Sequence, residues 1–149
     1  MPTHYRGTKE EVLALNTYIK LQRAAEMVLG RTTKDLKDHN LTVSQFAVLE
    51  ALYHLGTLSQ RSLAEKLLKS TGNISIVLKN MEKRELIERH RAPEDNRYMK
   101  VSITDIGRSL IDSMFTAHVA GIVDELSVLS AKEQEELGRL CRKLGLHKE

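Results

Sequence analysis

Three groups of residues have the types and spacing to do chemistry. The first is a run of short polar and basic side chains, Ser70, Thr71, Asn73, Ser75, Lys79, Asn80 and Lys83, with Ile76 among them. Ser70 is placed to cap a helix over 71–84, on which Ile74, Val77, Leu78 and Met81 fall at i, i+3, i+4 and i+7, one apolar stripe. The polar residues and Ile76 must then occupy the outer faces. Asn pairs with adenine edges, Ser and Thr bond bases or phosphates, and Ile can touch a thymine methyl. Backbone N–H groups near Ser70 and Thr71 suit a phosphate. The second group is Arg89, Arg91, Asp95, Arg97 and Lys100, in which Asp95 and Arg97 flank one residue of a turn-rich stretch. Arg89, Arg91 and Lys100 read as phosphate contacts, or else as solvated strand charges. The third is Cys141, on the apolar face of the last helix, where a free cysteine is either a small packing residue or, if exposed with a lowered pKa, an oxidant-sensitive thiolate.

Other chemistries lack their residues. The six histidines, His4, His39, His54, His90, His118 and His147, form no pair with zinc-site spacing, and there is no second cysteine to complete one. No Gly-rich phosphate loop, HExxH or GxSxG is present. Asp124 and Glu125 are adjacent and point different ways on a helix, so they are no acid–base pair. No enzyme, metal or cofactor is expected. His118, within an apolar run, reads as a core or interface histidine.

Charge distribution suits a polyanion partner and, equally, a solvated charged surface. The chain has 149 residues and a net charge of +3. Residues 1–58 carry +1, residues 59–100 carry +4, and residues 101–149 carry −2. The basic middle contains both polar groups above, as a nucleic-acid surface would. The uncharged stretch Ser113–Val123 is far shorter than the ~20 residues that cross a bilayer. No apolar run follows a basic start, so no secretory signal is expected. A single cysteine excludes an internal disulfide framework and suits the cytoplasm.

The elements that must position these residues are mostly helices. Lys9 to Asp38 reads as one long helix, with Val12, Leu15, Ile19, Leu21, Ala25, Val28 and Leu36 near helical spacing. Thr42 and Gln45 form a capping-box pattern for a helix to Leu55, ended by Gly56. Ser59 caps a short helix, Gln60 to Leu67. A turn at 68–70 and the helix from Thr71 complete a helix-turn-helix. Leu86–Arg91 is a strand, 92–96 a turn, and Met99, Val101 and Ile103 alternate as a second strand. Thr104 caps a helix to about Leu126, and Ser130 with Glu133 starts the last one. The fold class is therefore mainly α with a small β-hairpin: a single domain over 1–149, with a winged helix-turn-helix lobe at 42–104 flanked by helices at 9–38 and 105–146. Those flanking helices carry more apolar stripe than a small monomer can cover, which predicts a twofold dimer.

The run Ser62 to Gly107 resembles the DNA-binding core of the MarR family of bacterial transcriptional regulators. Leu63-Ala64, Leu86-Ile87-Glu88-Arg89, Asp95-x-Arg97 and Ile103-Thr104-x-x-Gly107 carry the resemblance by their order and spacing. The resemblance implies a homodimer with interlocked terminal helices that binds double-stranded DNA as a repressor. Under it, Arg97 enters the minor groove and Asp95 orients its guanidinium. It also implies a small aromatic or phenolic effector, for which Tyr18, Tyr53, His54 and Phe115 are candidates by chemistry, with core packing as the alternative for each. Phe46–Gly56 resembles the branch that answers quinones and catechols. The sequence departs from the family at Glu85, where glycine is common, and at Ile76 and Lys79-Asn80, where arginine and an Asp-Arg pair are common. The competing reading is a winged-helix module for protein–protein contact. A redox enzyme built on Cys141 lacks a resolving cysteine and a base.

Overall fold

The structure, a computed structural model, describes residues 1–147. It divides into two compact units. One comprises residues 35–117 and the other residues 1–34 together with the chain from His118 onward.

The lobe at 35–117 is built around its own core. A 3-10 helix, Lys34–His39, leads to α2, Val43–Leu55. Thr42 caps α2 in a full capping box with Gln45, and Gly56 ends it at φ 79°, a conformation that favours glycine. A two-residue strand β1, Leu58–Ser59, precedes α3, Gln60–Lys66, and α4, Thr71–Lys83. Two antiparallel strands follow, β2 at Ile87–Ala92 and β3 at Asp95–Ile103, and the sheet order is β1-β3-β2. α5, Asp105–Leu126, begins on the lobe. Thr104 Oγ1 accepts from Gly107 N and donates to the Glu85 carbonyl at 2.6 Å, so one hydroxyl both caps α5 and ties it to the end of α4. Leu49, Leu52, Leu63, Ile74, Leu78, Met81, Val101 and Ile111 are fully buried together.

Within the other unit, α1 spans Lys9–Thr32, the end of α5 contributes residues 118–126, and α6 spans Ala131–Leu146. Capping boxes at Thr8/Glu11 and Ser130/Glu133 start α1 and α6. Arg31 Nε donates to Glu125 Oε1 at 2.7 Å, linking α1 to α5. Among the described residues of this unit no hydrophobic side chain is buried, whereas Leu13, Leu21, Val123, Leu137, Leu140 and Leu144 are exposed. No single helix among the described residues is long and apolar enough to cross a membrane.

The mainly α fold with a small sheet stands, with three corrections to the elements. The helix expected to run from Lys9 to Asp38 stops at Thr32. There, Thr33 leaves the helical conformation as the C-cap, at φ −112° and ψ 9°, while its N–H still donates to the Leu29 carbonyl. The hairpin turn is only Pro93-Glu94, because Ala92 and Asp95 already pair. Finally, the sheet has a third strand, β1, too short to show any periodicity.

Candidate nucleic-acid interface

The outer face of α4 follows from its cap and its stripe. Ser70 Oγ accepts from Asn73 N at 3.2 Å and fixes the helix start. Ile74, Leu78 and Met81 point into the core and Val77 is half-buried beside them. That leaves Thr71, Gly72, Asn73, Ile76, Lys79, Asn80 and Lys83 exposed, with Ser75 half-buried. α3 and α4 meet through a tight turn in which Lys69 N donates to the Ala64 carbonyl at 2.9 Å and Leu68 takes a left-handed φ of 53°.

The wing departs from a plain hairpin. Arg91 pairs with Met99 while Ala92 pairs with Asp95, so Asn96, Arg97 and Tyr98 bulge from β3 without partners on β2. Bulges re-aim side chains, and this one turns Arg97 outward. Its side chain is 84% exposed, on an Asp95 carboxylate that is 25% exposed. Arg97 Nε donates to Asp95 Oδ1 at 3.0 Å and a terminal nitrogen to Oδ2 at 2.8 Å, a bidentate charge-assisted pair. Asp95 also accepts from the Arg97 backbone N–H at 3.0 Å. The Arg97 guanidinium and amide together hold the Asp95 carboxyl below its usual range. The pair that sequence placed one residue apart is thus a preset clamp presenting a guanidinium.

The other cations of the wing are engaged within the lobe. Arg89 is half-buried; its Nε donates to Glu82 Oε1 at 2.6 Å and a terminal nitrogen donates to Gln60 Oε1 at 3.4 Å. Arg89 therefore ties β2 to the last turn of α4 and the first of α3. Arg91 donates to the Asn96 carbonyl at 2.7 Å inside the bulge, and Lys100 lies 3.7 Å from Glu94. β1 pins β3 from its other edge, pairing Leu58 with Val101 and Ser59 with Lys100, and Ser59 also caps α3. Wing and helix-turn-helix are consequently one hydrogen-bonded body.

Between them lies an open cleft of about 550 Å³, lined by Arg61, Thr71, Ser75, Arg89, Arg97 and Tyr98 among others. Arg61 and Tyr98 were not singled out from the sequence. Arg61 sits in the first turn after the Ser59 cap, so mapping cations onto α3 would have found it; its partner is Glu65 at 3.3 Å. A helix presenting amides and ammoniums beside a projecting arginine can lay the helix in a major groove and the arginine in the adjoining minor groove.

Away from this face, Tyr53, His54 and Phe115 come together. Ring centroids are 5.1 Å apart for Tyr53–His54 and 4.9 Å for His54–Phe115. The Arg108 guanidinium lies 5.5 Å over the Tyr53 ring. The Tyr53 hydroxyl donates to Asp112, whose carboxylate raises the phenol's pKa. Tyr18, the fourth aromatic candidate, is exposed on α1 in the other unit. Cys141 is exposed on α6, so the monomer does not bury it as a packing residue.

A helix-turn-helix fused to a bulged wing with an exposed arginine defines a winged helix-turn-helix DNA-binding protein. Comparison with known proteins makes that class specific. The MarR family profile matches residues 41–99. The chain is 34% identical over 134 residues to the HTH-type transcriptional regulator MhqR of Bacillus subtilis strain 168, covering 90% of this chain and 92% of that protein. Its fold matches Sco3205, a MarR family transcriptional regulator from Streptomyces coelicolor solved in complex with DNA, with a TM-score of 0.84 at 19% identity over 95% of this chain and 90% of that one. It also matches BpsR of Bordetella bronchiseptica, whose DNA binding is regulated by 6-hydroxynicotinic acid, with a TM-score of 0.77 at 25% identity over 87% of this chain and 98% of that one. The chain belongs to the MarR family of transcriptional regulators.

Proposed function

We propose that this regulator is a homodimeric repressor that grips a pseudo-palindromic operator and is released by a small aromatic or phenolic ligand. In this reading residues 42–104 are the DNA-binding lobe, and the helices at 9–32 and 105–146 pair two chains. The observation that carries it is one cleft lined by Thr71 and Ser75 of α4 and by Arg97, whose guanidinium is held exposed on Asp95. Asn73, Ser75, Lys79 and Asn80 face bases; Ser70, Thr71, Lys83 and Arg91 face phosphates; Arg97 enters the minor groove. Arg89 and Lys100 act mainly by holding the wing in place, given their partners Glu82 and Glu94. Twofold pairing would set two copies of α4 about one DNA turn (~34 Å) apart.

The exposed leucines of α1 and α6 support pairing, because contiguous apolar surface on a soluble chain marks an interface. Ligand release is supported by the BpsR likeness and by the clustered rings of Tyr53, His54 and Phe115. A ligand acts only if it prefers one arrangement of the lobes over another. Release by oxidation is the second route, carried by exposed Cys141. The protein acts by binding rather than catalysis, in the cytoplasm where bacterial DNA resides.

The test is selection of bound duplexes from random DNA, followed by a salt titration of the winner. A repressor of this kind selects a two-half-site sequence and loses affinity as a power of salt concentration. Absence of any retained duplex, or affinity indifferent to salt, overturns the reading and favours a protein–protein module. A screen of phenolic ligands, with a Cys141→Ser variant under peroxide, then separates ligand release from oxidant release.

A further inference from the structure

We infer that Ile76 is a specificity residue that reads the 5-methyl group of one thymine in each operator half-site. The inference rests on the DNA-binding reading above and deepens it. Among the described residues of α4, Ile76 is the large hydrophobic side chain left exposed, at 63%. Its apolar neighbours Ile74, Leu78 and Met81 explain themselves by burial. Ile76 does not, and helix formation does not explain it either, since a β-branched residue is a poorer helix former than the long polar residues that usually hold such positions.

Gly72 presents the same puzzle. A Cβ built there meets nothing within 4 Å and its φ is not left-handed, so neither close approach within the lobe nor backbone conformation demands glycine. The two residues make sense together. A helical side chain lies over the turn N-terminal to its own Cα, so Ile76 lies toward position 72. A glycine there leaves the branched end of Ile76 uncovered and open to a flat partner. Asn73 and Lys79, three residues to either side, share this face and offer hydrogen-bond donors around the apolar spot. An apolar knob ringed by donors matches a major-groove edge on which a methyl group stands beside acceptors. Thymine, with its C5-methyl and O4, provides that edge.

The experiment uses the full-length protein and its selected duplex. Each thymine of a half-site is replaced in turn by deoxyuridine, which removes the methyl and keeps the pairing edge, and affinity is read by fluorescence anisotropy at fixed salt. One position per half-site is expected to lose about fourfold, and about fifteenfold when both half-sites are changed, the scale of one buried methyl group. In Ile76→Ala, whose fold is checked by thermal melting, the same replacement is expected to cost nothing. A selected half-site without thymine, a half-site indifferent to deoxyuridine, or an equal loss in Ile76→Ala would each overturn the inference while leaving DNA binding intact. Failure to retain any duplex would overturn the functional reading, and this inference with it.

Discussion

The two units of this chain solve the problem of burying apolar side chains in opposite ways. Residues 35–117 close a core of their own, with Leu49, Leu52, Leu63, Ile74 and Leu78 removed from water within one chain. The helical unit instead holds Leu13, Leu21, Leu137, Leu140 and Leu144 at its surface. The lobe buries its apolar residues within one chain, whereas the helices leave theirs exposed, and the reading proposed above covers them with a second copy. Stability should accordingly split into a part independent of protein concentration and a part that dilution removes.

The most direct way to break that contrast is to charge the helical unit. Leu140→Asp with Leu144→Asp should convert the dimer to monomer in sedimentation and abolish operator binding at working concentrations. Each leucine withdrawn from an interface costs about 1.5–3 kcal/mol, and a dimer contains two copies of each. A variant that stays dimeric would reassign that face.

The lobe is tested next by Gly107→Ala. The added Cβ would overlap the Leu86 carbonyl oxygen and lie 3.0 Å from the Ile103 side chain. A loss of about 1–3 kcal/mol in urea unfolding is expected, the usual cost of overpacking, and it should not depend on concentration. An unchanged midpoint would show that the joint between α5 and α4 gives way freely.

Substitutions in the wing should leave both units folded and change only binding. Arg97→Ala is expected to weaken the operator complex about tenfold or more, read by gel shift at fixed salt. Asp95→Asn should weaken it less, since the guanidinium remains and only its aim is lost. The pH dependence follows from the direction of the Asp95 shift. A carboxyl held below its usual range stays ionised throughout ordinary buffers, so the clamp is intact at neutral pH and opens only as acid titrates it through that lowered value. Operator affinity should show no step from this clamp between neutral pH and the normal carboxylate range; a step there would mean Asp95 is not held by Arg97.

The smallest effects come from backbone strain in the lobe. Leu68 and Glu85 hold left-handed φ values of 53° and 59°, and Leu68 is 93% exposed. Leu68→Asn and Glu85→Gly should each stabilise by up to about 1 kcal/mol, because asparagine and glycine adopt that conformation at lower cost. Destabilisation by either would mean that the side chain makes contacts outweighing the strain.

Sequence made the lobe legible where local signals agreed. Ser70, Ser59 and Thr42 are caps at the expected residues, as Ser130 is in the helical unit, and the stripe of Ile74, Leu78 and Met81 is the buried face of α4. Legibility failed where structure depends on residues distant in the chain. Leu36 continued the helical spacing of α1 but is buried in the lobe beyond the helix end at the Thr33 cap. The Arg89–Glu82 pair joins a strand to a helix and has no short-range signature. The alternation of Met99, Val101 and Ile103 was visible, yet the register slip before it was not, since no glycine marks the bulge. The candidate site was readable as residue types on a helix face and beside a turn; that Thr71, Ser75, Arg89 and Arg97 line one cleft, and the other candidates do not, was not.

That slip in register gives the molecule a caliper. Three surplus residues, 96 to 98, set how far the guanidinium stands from α4, the helix assigned to the neighbouring furrow in the reading proposed above. Trimming one of them would draw the tip back toward the sheet and shorten the span. On that reading, related chains with wings of other lengths should favour sites whose narrowed stretch lies at a different offset from the bases facing α4, so the count of loop residues becomes a measure of operator geometry.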